Sequence, residues 1–174
     1  MSADPRFPIG KFERSESINQ SDRSSFTEVI RDLPNAMRAA VAGLSDQQLD
    51  TPYRDGGWTL RQTVHHVADS HINSLCRFKL ALTEGAPTIR PYYEDRWAEL
   101  ADSKMPVDVS LKIIEGVHSR WTALLASMTD ADFAREFIHP ETGKWTLEQV
   151  LALYAWHSRH HTAHITELRQ QKGW

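Results

Sequence analysis

Apolar residues recur at three- and four-residue steps along four long segments of the chain, and each segment predicts an amphipathic helix. The first, roughly Ser21 to Leu44, carries Phe26, Ile30, Leu33, Met37, Val41 and Leu44 on one stripe, with Pro34 placed to kink or divide it. The second runs from about Thr59 to Thr83. It opens on Thr59-x-x-Gln62, a capping box in which two side chains satisfy orphan amides at a helix start. Gly85 and Pro87 stop it, by positive φ and by a missing amide. The third, about Val107 to Met128, follows Pro106 and has the stripe Leu111, Ile114, Val117, Trp121 and Leu124/Leu125. The fourth opens on a second capping box, Thr146-x-x-Gln149, and continues to Gly173. No stretch alternates convincingly as a strand, so sheet content should be near zero. The stretch "YYEDRWAEL" predicts an extra helical turn or two between the second and third segments.

The same helix start is written twice. "GGWTLRQTVHH" begins at Gly56 and "GKWTLEQV" at Gly143, and "LSDQQLD" and "MTDADFA" precede them. Each half therefore reads long helix, Ser/Thr-Asp turn, irregular loop, Trp, capping box, long helix. This predicts an all-α, up-and-down four-helix bundle built from two related helix pairs, with a short extra helix in the middle connection. Trp58 and Trp145 fall at the position before the cap, where an apolar residue staples onto the first turns of the helix.

Composition narrows the setting. At 174 residues the chain predicts one domain over residues 1–174, with 40% hydrophobic and 25% charged residues as in ordinary soluble proteins. A net charge of -3 gives no electrostatic footprint for nucleic acid or an anionic membrane. No apolar run is long enough to span a bilayer, and the start "MSADPRFPIG" lacks a signal-peptide pattern. The one cysteine, Cys76 in "NSLCRFKL", fits a reducing, cytoplasmic setting and reads as a small core residue.

Histidine is where chemistry enters. Of nine histidines, seven follow the repeated motif: His65, His66 and His71 after the first copy, and His157, His160, His161 and His164 after the second. His157 and His161 are four apart, so they share a helix face, and projection at the helical period puts them about the centre of the apolar stripe. His160 and His164 offer a second such pair. On the second helix His71 lies on the stripe, His66 at its margin and His65 away from it. One ligand from that helix with an i,i+4 pair from the last makes three neutral imidazoles with an open position, the pattern of a catalytic metal site. His65 and His160 are expected to be solvated or to support the ligands from outside. His118 and His139 stand isolated and read as structural, and Asp69 is placed to orient an imidazole through its second nitrogen.

These features resemble a family. A Trp, a Ser/Thr cap, a His eight residues after the Trp and a His-x3-His near the C-terminus resemble the DinB/YfiT-like superfamily of metalloenzymes. The stretches "FPIGKF", "LDTPYRDGGWTLRQTVHHVADSHINSLCRFKLALTE" and "YAWHSRHHTAHITELRQQKGW" resemble its YfiT-like branch, over nearly the whole chain. The resemblance implies a homodimeric four-helix bundle in which His66, His157 and His161 hold one divalent metal ion, variously zinc, nickel or manganese. For that branch it implies transfer of a low-molecular-weight thiol such as bacillithiol to a small-molecule substrate, or metal-dependent hydrolysis. A metal can acidify a coordinated thiol or water, so the residues fit either chemistry. A third reading is a bundle that binds metal without turnover. The lack of an obvious Glu or Asp beside the three histidines favours a thiol, which needs no base once coordinated.

Overall fold

Helix α1 (Gln20–Val41) begins where Asn19 and Asp22 exchange side-chain to backbone hydrogen bonds, a capping box not anticipated from the sequence. In this computed structural model, which describes residues 4–174, Pro34 neither divides nor ends α1. The first three residues of "MSADPRFPIG" lie outside the described residues, and with them the very start of the expected 1–174 domain. Proline removes the amide that would bond the Ile30 carbonyl. That carbonyl accepts from His118 Nδ1 instead, at 2.5 Å, so the helix continues without an orphaned acceptor.

Two of the three remaining long helices start at the predicted caps. Thr59 caps α3 (Leu60–Thr83) with Gln62, and Thr146 caps α7 (Leu147–Lys172) with Gln149. Between them runs α5 (Val107–Ser127). The Ser/Thr-Asp turns are short capped helices, α2 (Asp46–Leu49) on Ser45 and α6 (Asp130–Phe133) on Thr129. The expected extra turn is α4 (Glu94–Trp97), followed by a 3-10 turn at Ala101–Lys104. The stop after α3 differs in detail: the helix leaves through an extended Glu84, and the positive φ of 48° belongs to Ala86 rather than Gly85. Pro87 accounts for the helix not resuming at Ala86, because it disfavours the right-handed helical region for the residue before it.

A small sheet corrects the expectation of almost none. Strands β1 (Glu136–His139) and β2 (Gly143–Thr146) form an antiparallel hairpin that pairs Phe137 with Trp145. The Ile138 amide donates to the Pro87 carbonyl and the Ile89 amide to the Ile138 carbonyl, tying the hairpin to the crossover. Neither "EFIH" nor "GKWT" alternates apolar with polar residues, so no period of two announces the strands.

The bundle is present, but its directions depart from strict up-and-down alternation. α1 packs on α7 and α5, and α3 packs on α5 and α7. Arg23 reaches Glu148 at one end of the α1–α7 pair and Arg169 reaches the Ala40 carbonyl at the other, so these helices are parallel. His65 meets Ser110 and Phe78 meets Trp121, so α3 and α5 are parallel too. Against them, Ile30 meets His118 while Arg38, later in α1, meets Asp108 at the start of α5, and His66 faces His161 while Ser70 meets Tyr154, making α1–α5 and α3–α7 antiparallel. The order is up, down, down, up, and residues 84–106 run back along the bundle before α5 begins. Within each half the two long helices lie across the diagonal, α1 from α3 and α5 from α7, and the related halves meet through all four neighbouring pairs.

The core falls into two apolar clusters, one around Ile30, Phe78, Trp121 and Leu151, the other around Met37, Val64, Ile114 and Ile165. In sequence His71, His118, His157 and His161 fall between the residues of one cluster and those of the other, so a polar layer divides the core. Cys76 is a correction: it is exposed, on the α3 face that also exposes Ile72 and Leu80. Among the described residues no helix is long and apolar enough to cross a membrane.

Candidate metal centre

Because α3 and α7 are antiparallel neighbours, His66 on one faces His157 and His161 on the other. One ring nitrogen from each of the three lies within 4.8 Å of the other two. His66 Nε2 is 3.2 Å from His157 Nε2. Two nitrogens bound to zinc at tetrahedral geometry stand about 3.4 Å apart, so this pair already has the spacing an ion needs. The i,i+4 step brings the His157 and His161 ring centres to 4.4 Å. The residues therefore fit a small divalent cation.

Burial sets their charge. It pushes the His66 imidazole down to about 4 and holds His157 and His161 well below the ordinary histidine value, with the neighbouring histidines adding repulsion. Coordination requires the neutral ring, which these surroundings supply in advance. No carboxylate belongs to the triad, so a bound dication would keep its full charge towards a fourth partner.

The surrounding residues differ from expectation. His71 Nε2 lies 3.1 Å from His157 Nδ1, so the orienting role expected of Asp69 falls to another histidine. Among the described residues the Asp69 carboxylate bonds no imidazole. Burial, reinforced by Asp102, raises it to about 6. His65 is buried and not solvated: Nε2 donates to the Met105 carbonyl at 2.9 Å, and Nδ1 accepts from Ser110 at 2.7 Å. It pins the end of the crossover to α3. His118 is not isolated, since its Nε2 lies 2.8 Å from His71 Nδ1. His139 sits in the hairpin, where its Nδ1 accepts from the Glu141 amide. Trp58 does more than start a helix: its ring centre is 4.6 Å from that of His66. Trp145 packs with Phe12 and Arg14 away from the site.

His160 is also buried and not solvated, stacked on Trp156 at 4.3 Å, and His164 is stacked on Tyr53 at 4.0 Å. With His161 they make a second group of three whose ring nitrogens lie within 4.8 Å of one another. Sequence spacing alone could not separate the two groups, because His161 belongs to both.

Two cavities meet at the centre. One, of about 430 Å³, is lined by His66, His157, His160, His161, His164 and Trp58, with Glu94 at its edge. The other, of about 960 Å³, is bounded by Arg77, Arg90, Tyr92 and Tyr154, and also by His157 and Glu94. Glu94 is the functional candidate missed in the sequence. Glu94 is exposed to solvent, and its carboxyl is raised, by desolvation from the surrounding protein first and Asp95 second. Only the crossover brings this residue to the histidines, and no local spacing signals that.

The chain matches the DinB superfamily model over residues 30–165. A relative from Bacillus cereus (strain 03BB102) is 55% identical over 98% of this chain and 99% of its own length. Another, from Bacillus mycoides (strain KBAB4), is 54% identical over the same shares. Both carry the provisional name metal-dependent hydrolase. The solved structure of YfiT from Bacillus subtilis, provisionally described as a metal-dependent hydrolase with an unusual four-helix bundle topology, matches with a TM-score of 0.96. It is 51% identical and the match covers 99% of each chain.

Proposed function

Because the chain belongs to the DinB superfamily, we propose that it is a metal-dependent enzyme in which His66, His157 and His161 hold one divalent ion. Its nucleophile on this reading is a low-molecular-weight thiol, transferred to a small electrophile. One observation carries the two-substrate reading: His157 and Glu94 border both cavities, about 430 and 960 Å³, so two molecules can approach the same centre from different sides. A divalent ion held only by neutral imidazoles supplies Lewis acidity that lowers the pKa of a coordinated thiol. Glu94, the carboxylate that lines both cavities, is the base this reading assigns to the proton the thiol gives up. Arg77 and Arg90 offer cationic contacts for an anionic group on a substrate in the larger cavity.

The second reading is hydrolysis, with water as the nucleophile and Glu94 as base. The names of the Bacillus relatives support it, and Glu94 weakens the case for a thiol that rested on having no base nearby. Purified protein, analysed for bound metal and then assayed with thiols plus an electrophile and separately with esters and amides, separates the readings. Metal-dependent conjugation with a thiol and none with esters or amides is the expected result. Metal-dependent hydrolysis without thiol turnover would select the second reading, and metal binding with neither activity would leave a non-catalytic module. With cobalt in the centre, added thiol should produce a sulfur-to-metal charge-transfer absorption, and its absence with every thiol tried would count against the first reading.

A further inference from the structure

Two imidazoles beside the first triad, His160 and His164, and one nitrogen of its own His161 lack any assigned partner. His160 Nδ1, His161 Nδ1 and both nitrogens of His164 are buried without a hydrogen-bond partner among the described residues. Their residues are only 7%, 8% and 4% exposed. The Arg6 backbone comes near His164 but misses hydrogen-bond geometry. Buried polar atoms left unpaired are costly, and a cluster of them calls for an occupant. Stacking on Trp156 and Tyr53 fixes two of the ring planes. The three rings stand at 60–73° to one another, edges rather than faces together. We propose that His160, His161 and His164 form a second position for a borderline first-row cation such as zinc, cobalt or nickel, sharing His161 with the first. Imidazole suits these ions. One lone pair cannot serve two ions, so the positions are alternatives unless His161 bridges. The proposal does not depend on the enzymatic reading. Its test is cobalt binding, read from visible absorption and stoichiometry. His66→Ala should still bind one ion per chain, more weakly, and His66→Ala with His164→Ala should lose it. No ion in the single variant, or undiminished binding in the double variant, would overturn the proposal.

A different observation carries a second inference. The Ile30 carbonyl can only accept, so His118 Nδ1, 2.5 Å away, carries its hydrogen. That carbonyl is available because residue 34, which would donate to it in a regular helix, is proline. Neutral His118 then accepts at Nε2, so His71 Nδ1 donates across 2.8 Å. His71 accepts at Nε2, so His157 Nδ1 donates across 3.1 Å. What remains on His157 is an Nε2 lone pair facing His66. We infer that Pro34, His118 and His71 are positioning residues that fix His157 as the Nδ1–H tautomer and aim its Nε2 into the three-histidine centre. The chain takes Ile30 from α1, His118 from α5, His71 from α3 and His157 from α7, so it links all four long helices. A ring that binds an ion through Nε2 must carry its hydrogen on Nδ1, so both ends demand the same polarity.

The purpose of this chain rests on the proposed metal reading, but its polarity does not. Long-range proton–nitrogen spectra of the metal-free protein should therefore show Nδ1–H on His118, His71 and His157. An Nε2–H tautomer at any of them would overturn the inference, whatever the metal result. In zinc titrations, His118→Phe keeps a ring but no nitrogen and should weaken binding about 10- to 100-fold. His118→Gln, whose amide can donate to Ile30 and accept from His71, should recover most of that loss. Thermal midpoints of the metal-free variants report whether each still folds. Equal affinity in the two variants, high or low, would reduce His118 to a packing residue.

Discussion

A buried imidazole is costly unless its nitrogens are occupied, and this chain buries His65, His66, His71, His118, His160, His161 and His164. Their roles divide by what each nitrogen meets, and two substitutions make the division measurable. Replacing His161 with Ala should remove most metal affinity while shifting the metal-free thermal midpoint little, since it deletes a polar group whose Nδ1 has no partner. Replacing His65 with Ala should do the reverse. It breaks bonds to Met105 and Ser110 and should cost about 1–3 kcal/mol by denaturant unfolding, with metal affinity unchanged. If both variants lost stability and metal together, the separation of roles would be wrong. The i,i+4 pair His157/His161 was legible from spacing, because helical period alone puts it on one face. His65 was not: its partners sit on the crossover and on α5, far away in sequence.

At the scale of elements, what the sequence made plain was local. Thr59/Gln62 and Thr146/Gln149 form the predicted caps because a capping box needs only residues three apart. Thr59→Ala and Thr146→Ala should each cost about 1 kcal/mol, lowering the thermal midpoint by about 2–4 °C in a chain of this size. An unchanged midpoint would mean that tertiary packing alone holds these helix starts. What was not plain depended on contacts between elements. Pro34 reads as a break when only its helix is considered; His118 from α5 supplies the missing partner and lets α1 continue. The hairpin is held by Pro87 and Ile89 from the crossover, so no signal inside residues 136–146 announces it.

Over the whole molecule, the crossover at residues 84–106 sets the parallel pairs and carries Glu94 to the histidines, and the repeat in the sequence specified neither. The histidine layer also links folding to pH. Unfolded imidazoles take up a proton near pH 6.5, whereas burial keeps His66 and His118 neutral to about 4. Between those values the unfolded chain binds more protons, so stability is full above about pH 6.5 and is lost as pH falls towards 4. Thermal midpoints of the metal-free protein should decline across that window, and a flat profile would contradict the buried neutral layer. Metal should be retained below pH 6 and released as the fold fails, because the ligands need no deprotonation beforehand.

The central claim is that His66, His157 and His161 hold one ion between α3 and α7. Anomalous diffraction at the zinc absorption edge, from crystals of the zinc-loaded protein, tests it most directly. The expected result is a single strong peak about 2.0–2.1 Å from a ring nitrogen of each of the three. A peak centred on His160 and His164 in the unsubstituted protein, or none beside His66, would contradict the account.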